Sequence, residues 1–157
     1  MALLDLLARL VPVARRTLDH QLAQQIEAAL QCQEAGQSDA ALALCQQWLA
    51  KRPTHHEALH LSGVIRLQQG NVAEALELFR RACALRPQRA LYQFNLGNAL
   101  VQAEDHAAAG RAYRAAIRHD PTHFAAHHNL GLSLITGRNW MEAISVLEQA
   151  LSLQPGH

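Results

Sequence analysis

Apolar and small side chains in this chain recur in columns rather than in isolated runs. Ala41, Ala75, Ala109 and Ala143 share one column, Ala82, Ala116 and Ala150 a second, and Cys45, Phe79, Tyr113 and Leu147 a third. Gly63, Gly97 and Gly131 form a fourth, with Ala29 in the corresponding place. Pro53, Pro87, Pro121 and Pro155 punctuate the pattern, each 34 residues after the last, and that interval is the length of a two-helix solenoid repeat. The spacing predicts helices near 22–35, 38–51, 55–69, 72–85, 89–103, 106–119, 123–136 and 140–153, with no strand pattern anywhere. Registered on the prolines, the chain reads as a leading segment 1–21 and four windows, 22–55, 56–89, 90–123 and 124–157.

The columns have a physical reason. A glycine inside a helix costs about 1 kcal/mol relative to alanine, so its recurrence at Gly63, Gly97 and Gly131 implies a return through close helix approach. Alanines at Ala75, Ala109 and Ala143 do the same for the partner helix, and the large column fills the remaining space. Each proline denies a second helix its next backbone donor. Turns are expected at Gly36-Gln-Ser-Asp, Gly70-Asn, Glu104-Asp and Gly137-Arg-Asn.

These residues resemble the tetratricopeptide repeat (TPR) family over 22–157. The pattern is clearest as Leu59, Ser62, Gly63, Ala75, Phe79, Ala82, Pro87 and again as Leu96, Gly97, Leu100, Ala109, Tyr113, Ala116, Pro121. The fourth window follows with Leu130, Gly131, Leu134, Ala143, Leu147, Ala150 and Pro155. The first window is degenerate, with Ala28 and Ala29 for Leu-Gly and Trp48 where a small residue is usual. The resemblance implies an all-α, right-handed solenoid of antiparallel helix pairs, here with an extra N-terminal helix in 1–21.

Composition narrows the function. The chain has 157 residues, half of them hydrophobic, but only 4% aromatic, so alanine and leucine supply the packing. A net charge of +1 gives no global steering toward nucleic acid or an acidic membrane. Three cysteines in a helical chain fit a reducing, cytoplasmic setting better than a disulfide framework. Cys32 and Cys45 occupy facing columns of the first helix pair and read as small core residues. Residues 2–11 place Leu3, Leu6, Leu7 and Leu10 on one face of a helix. Asp5 and Arg9 interrupt that run and Pro12 follows, so it reads as a capping or partner helix rather than a signal peptide or membrane span.

Catalytic chemistry is hard to find. No nucleophile–base pair, phosphate loop or cysteine zinc motif is present, so the chain reads as a non-enzyme without cofactor or metal. His56/His60 and His123/His127 have i,i+4 spacing, yet two imidazoles do not make a zinc site. His55, His56 and His123 sit at repeat handovers and are expected to be exposed. Arg80, Arg81, Arg86, Arg89, Arg111, Arg114 and Arg118 fall on or beside second helices, which the resemblance places on the convex face as a solvated surface.

The resemblance assigns partner binding to a concave groove lined by first helices. Carried over residue by residue, the groove takes His60, Leu61 and Val64 from the second window. The third gives Leu91, Phe94, Asn95, Asn98 and Gln102, and the fourth His128, Asn129 and Leu132. Amides there can bond a peptide main chain while Leu61, Phe94 and Leu132 offer apolar pockets, which suits a protein or peptide partner. The lysines and arginine of TPR carboxylate clamps are missing. Asn95 and Asn129 share a column within Asn-Leu-Gly, similar to the asparagine ladder of O-GlcNAc transferase TPR arms, so a substrate-recruiting arm of a larger glycosyltransferase-like enzyme is the alternative. A third reading is self-assembly. No covering helix is expected after Pro155, which leaves Ile144, Leu147 and Leu151 to pair with Leu3, Leu6, Leu7 and Leu10 of another copy in a homo-oligomer.

Overall fold

The computed structural model describes residues 24, 27–29, 31, 32 and 35–154. The N-terminal helix expected in 1–21 and its leucines lie outside these residues, as does Pro155. The chain divides after Pro53 into two units. In the first, residues 27–29 and 31–32 are helical, and helix α1 spans Ser38–Lys51. Its buried stripe is Ala41, Leu42, Cys45 and Trp48. Trp48, in the column where a small residue is usual, is only 1% exposed, so this window uses one large ring for its filling.

The second unit holds six helices: α2 His56–Gln68, α3 Val72–Leu85, α4 Ala90–Gln102, α5 His106–His119, α6 Phe124–Thr136 and α7 Trp140–Leu153. Each packs on its neighbour in sequence, and α2 also touches α4. Contacts confined to adjacent repeats are the mark of a solenoid. The described residues form no strand, and the all-α helix-pair fold that the resemblance implies is the fold found.

The glycine column works by close approach. A Cβ added to Gly63 would lie 2.8 Å from Phe79 Cε1, and one on Gly97 would lie 2.5 Å from Tyr113 Cε1. On Gly131 it would lie 2.5 Å from Leu147 Cδ2. The large residue of each second helix therefore rests on the bare backbone of its own first helix. Phe79 and Tyr113, at 0% and 1% exposed, are the largest such plugs.

Helix ends follow the chemistry of their terminal residues. Asp105 Oδ1 accepts the Ala108 N–H at 2.9 Å and opens α5. His55 and His123 do the same for α2 and α6, their Nδ1 atoms accepting from Ala58 and Ala126 at 3.3 Å. The residues before Pro87 and Pro121 leave the helical region, with φ −140° at Arg86 and Asp120, in keeping with the proline ring that follows. Turns within pairs need a left-handed residue, and it falls at Gly36, Gly70, Glu104 and Arg138, again 34 apart. The turn expected at Gly137-Arg-Asn is present, but the left-handed residue is Arg138 and not the glycine.

Candidate functional site

Two polar constellations sit on the first helices of the second unit. One joins α4, α5 and α6. Asn98 Oδ1 accepts two hydrogen bonds, from the Tyr113 hydroxyl at 2.8 Å and from Asn129 Nδ2 at 3.0 Å. Both Asn98 N–H groups and Asn129 Oδ1 make no hydrogen bond to the described residues. A cleft of about 290 Å³ opens beside them, lined also by Val101, Gln102, His106, Leu132, Ser133 and Thr136. None of its lining residues is Asp, Glu, Lys or Arg, so the cleft is neutral when His106 is unprotonated.

The other constellation joins α2 and α4. His60 lies against Tyr92, ring centroids 4.4 Å apart and nearly parallel, and tilts against Phe79 at 5.7 Å. His60 Nε2 accepts from Asn95 Nδ2 at 2.7 Å. His56 Nδ1 and the Tyr92 hydroxyl are 2.8 Å apart. Burial pushes the His60 imidazole down to about 4, with the Arg89 and His56 charges adding to the effect. Burial likewise lowers His56, and it raises the Tyr92 phenol. The result is a neutral aromatic and imidazole wall.

The two constellations are one design with substituted parts. Counting one repeat back, Asn98, Tyr113 and Asn129 correspond to Val64, Phe79 and Asn95. Val64 and Phe79 have no polar atom to receive Asn95, so Asn95 turns to His60 instead. The shared column of Asn95 and Asn129 is therefore not a ladder of like contacts. Each amide is claimed by a different partner, and the Asn98/Asn129 pair flanks a cleft.

The remaining groove candidates fall in different settings. Leu61 is buried at 7% exposure and offers little surface. Phe94 is half-buried between Tyr113 and His123, with centroid separations of 5.9 and 4.7 Å. Leu91 is half exposed, as is Leu132 at the cleft. His128 stacks on Phe124, 5.9 Å between centroids. Tyr113 was legible only as packing, and no sequence signal singled out His106.

The histidine pairs are committed to structure. His127 Nε2–H donates to the Pro121 carbonyl at 3.0 Å, and Gln93, its counterpart one repeat back, reaches the Pro87 carbonyl at 3.5 Å. His55, His56 and His123 are half-buried, not exposed as expected, because capping and ring contacts hold them in. Among the described residues no group of three or more His, Cys, Asp or Glu is placed to hold a metal. Arg114 is paired: its guanidinium meets Glu142 Oε1 through Nε at 3.1 Å and Nη2 at 2.5 Å.

Packing confined to adjacent repeats, plugged glycines and amide-lined first helices define a helical repeat protein of the interaction-scaffold class. The chain belongs to the tetratricopeptide repeat family, whose model matches residues 26–90 and 94–157. A crystal structure of MamA superposes with a TM-score of 0.80 at 20% identity, over 85% of this chain and 78% of that one; at this identity the likeness is one of fold. An O-GlcNAc transferase mutant from Thermobaculum terrenum matches 72% of this chain at 33% identity with a TM-score of 0.69, over 22% of its own length. BBSome complex member bbs-4 of Caenorhabditis elegans is 25% identical over 124 residues, 79% of this chain. The chain spans about a quarter of that curated relative, 27% of its length. No helix among the described residues is long and apolar enough to cross a membrane.

Proposed function

We propose that this protein is a non-catalytic adaptor whose first helices take up an extended peptide segment of a protein partner, with its anchor at the Asn98/Asn129 cleft. The observation that carries this reading is the hydrogen-bond inventory of that pair. Tyr113 and Asn129 saturate Asn98 Oδ1 and so fix the orientation of both amides. That leaves Asn98 N–H donors and the Asn129 carbonyl acceptor on residues that line the same cleft, the two kinds of group that a main-chain peptide unit pairs with. Leu132 and Val101 supply apolar surface for a neighbouring side chain. The uncharged lining favours a neutral segment and disfavours nucleic acid, whose phosphates demand cations. The cysteine usage supports a cytoplasmic setting.

The test is binding of library-selected peptides to the full chain and to Asn98→Ala and Asn129→Ala. Each lost neutral hydrogen bond should weaken a peptide by about 0.5–1.5 kcal/mol. Affinity unchanged in both variants would place the ligand elsewhere. A second reading, the recruiting arm of a glycosyltransferase-like enzyme, is favoured by the 33% identity to the Thermobaculum terrenum protein. It predicts that polypeptides bound here become acceptors for a catalytic domain supplied by the rest of a longer chain.

A further inference from the structure

Arg80 and Arg114 hold the same place on successive second helices, α3 and α5. Arg114 is met by Glu142, from the first turn of α7, through both Nε and Nη2. One repeat back the place of Glu142 is taken by Ala108, and two repeats back by Glu74, which pairs with Arg66 at 2.9 Å. The column therefore runs Glu74, Ala108, Glu142, and in the middle it has no carboxylate to offer Arg80. Arg80 makes no hydrogen bond or ion pair with the described residues, and neither does Arg111. A cleft of about 370 Å³ lies between α3, α4 and α5, with Arg80, Ala108 and Arg111 on its lining and Leu96 as apolar wall. Asp105 lines it too, but its Oδ1 is engaged in capping α5. The cleft shares no residue with the one at Asn98 and Asn129.

We propose that this cleft is a second docking site, which takes a glutamate or aspartate side chain from an acidic segment of a protein partner. The carboxylate sits on Arg80 as Glu142 sits on Arg114. The chain itself shows the chemistry of the occupant, because the equivalent guanidinium one repeat on holds a carboxylate through two nitrogens. Arg111, where the next repeat has Ser145, adds a second positive charge for a neighbouring acidic residue. Leu96 offers apolar surface to the methylenes of the docked side chain.

The experiment is fluorescence anisotropy of the full chain with a labelled peptide of alternating glutamate and alanine at low salt, on wild type, Arg80→Gln, Ala108→Glu and Arg118→Gln. Each variant lowers the net charge by one. Arg118 is exposed on α5 but does not line the cleft, so its variant reports general charge attraction alone. Arg80→Gln removes the receiving guanidinium, and Ala108→Glu supplies the missing carboxylate from within the chain, as Glu142 does for Arg114. Each of these two should weaken the peptide about three- to fivefold, the strength of a good exposed pair. Arg118→Gln should leave its affinity nearly unchanged. A wild type that does not bind the peptide would overturn the proposal. Equal losses in all three variants would also overturn it, as would unchanged affinity in either Arg80→Gln or Ala108→Glu. An oligonucleotide of equal charge that binds more tightly than the peptide, and is weakened by the same two variants, would overturn it in favour of nucleic acid.

Discussion

Asn95 Nδ2 and His60 Nε2 are 2.7 Å apart, and that one contact fixes the protonation state of the imidazole. An amide nitrogen only donates, so His60 Nε2 accepts and the proton of the neutral ring is on Nδ1. Burial, then the Arg89 and His56 charges, push the ring from 6.5 to about 4. Between those values the unfolded chain binds more protons than the folded one, so stability rises with pH across that window. It is complete above about 6.5 and is lost as pH falls toward 4. Discounted for partial exposure, the His60 share is roughly 1–2 kcal/mol. Urea melts at pH 4.5 and 7 should differ less in His60→Gln than in wild type. His56, lowered in the same direction, leaves a residual slope. Equal slopes would mean that His60 is not neutralised by folding.

Two glycines on neighbouring helices should respond to alanine with opposite signs. Gly97→Ala drives a methyl into Tyr113, from which its Cβ would be 2.5 Å distant, and should cost about 1–3 kcal/mol through overpacking. Gly110→Ala meets nothing nearer than 3.5 Å and lies inside α5. It should stabilise by about 0.5–1 kcal/mol through helix propensity and reduced unfolded-state entropy. Thermal melts of the pair decide the matter, and a loss of stability in Gly110→Ala would contradict the packing described.

The left-handed turn column carries glycine at Gly36 and Gly70 but Glu104 at φ 61° and Arg138 at φ 59°. A side chain there costs about 1–2 kcal/mol of steric strain, which glycine removes while adding some unfolded-state entropy. Arg138→Gly should therefore stabilise the fold by a net amount of up to about 1 kcal/mol and raise the melting temperature. Gly70→Ala should lower it. A destabilised Arg138→Gly would indicate that its side chain contributes more than the strain it causes.

Tyr113→Phe removes the hydroxyl that Asn98 Oδ1 receives and should cost about 1 kcal/mol. The double variant Asn98→Val/Tyr113→Phe restores the pairing that Val64 and Phe79 already use one repeat earlier. Its stability should return only part of the way toward wild type, because Asn129 Nδ2 loses the acceptor it had on Asn98. Its cleft, however, has lost the amide. Chemical denaturation of wild type, Asn98→Val, Tyr113→Phe and the double variant gives the coupling energy directly.

Much of this architecture was legible in the sequence because its determinants recur. The glycine and large-apolar columns predicted the close pairs, and helices α1, α3, α5 and α7 have the bounds read from the apolar pattern. Side-chain partnerships were not legible, since they depend on differences between repeats rather than on the consensus. Asn95 and Asn129 occupy one column yet bond unlike partners, because Val64 cannot accept where Asn98 can. The histidines read as exposed are caps and ring partners, a role that needs neighbours from another helix. Arg138 shows the same limit at the backbone: the glycine of that turn, Gly137, lies one residue before the left-handed position.

The central claim is that Asn98 and Asn129 hold a peptide main chain. The direct measurement is isothermal titration of full-chain wild type and the Asn98→Ala/Asn129→Ala variant with the same library-selected peptide, alongside a peptide N-methylated at successive positions. The account predicts at least about a fivefold loss of affinity in the variant. It also predicts that one N-methylation weakens wild type while leaving the variant nearly unaffected. Equal affinity of both proteins, with every N-methylated peptide losing the same amount in each, would contradict it.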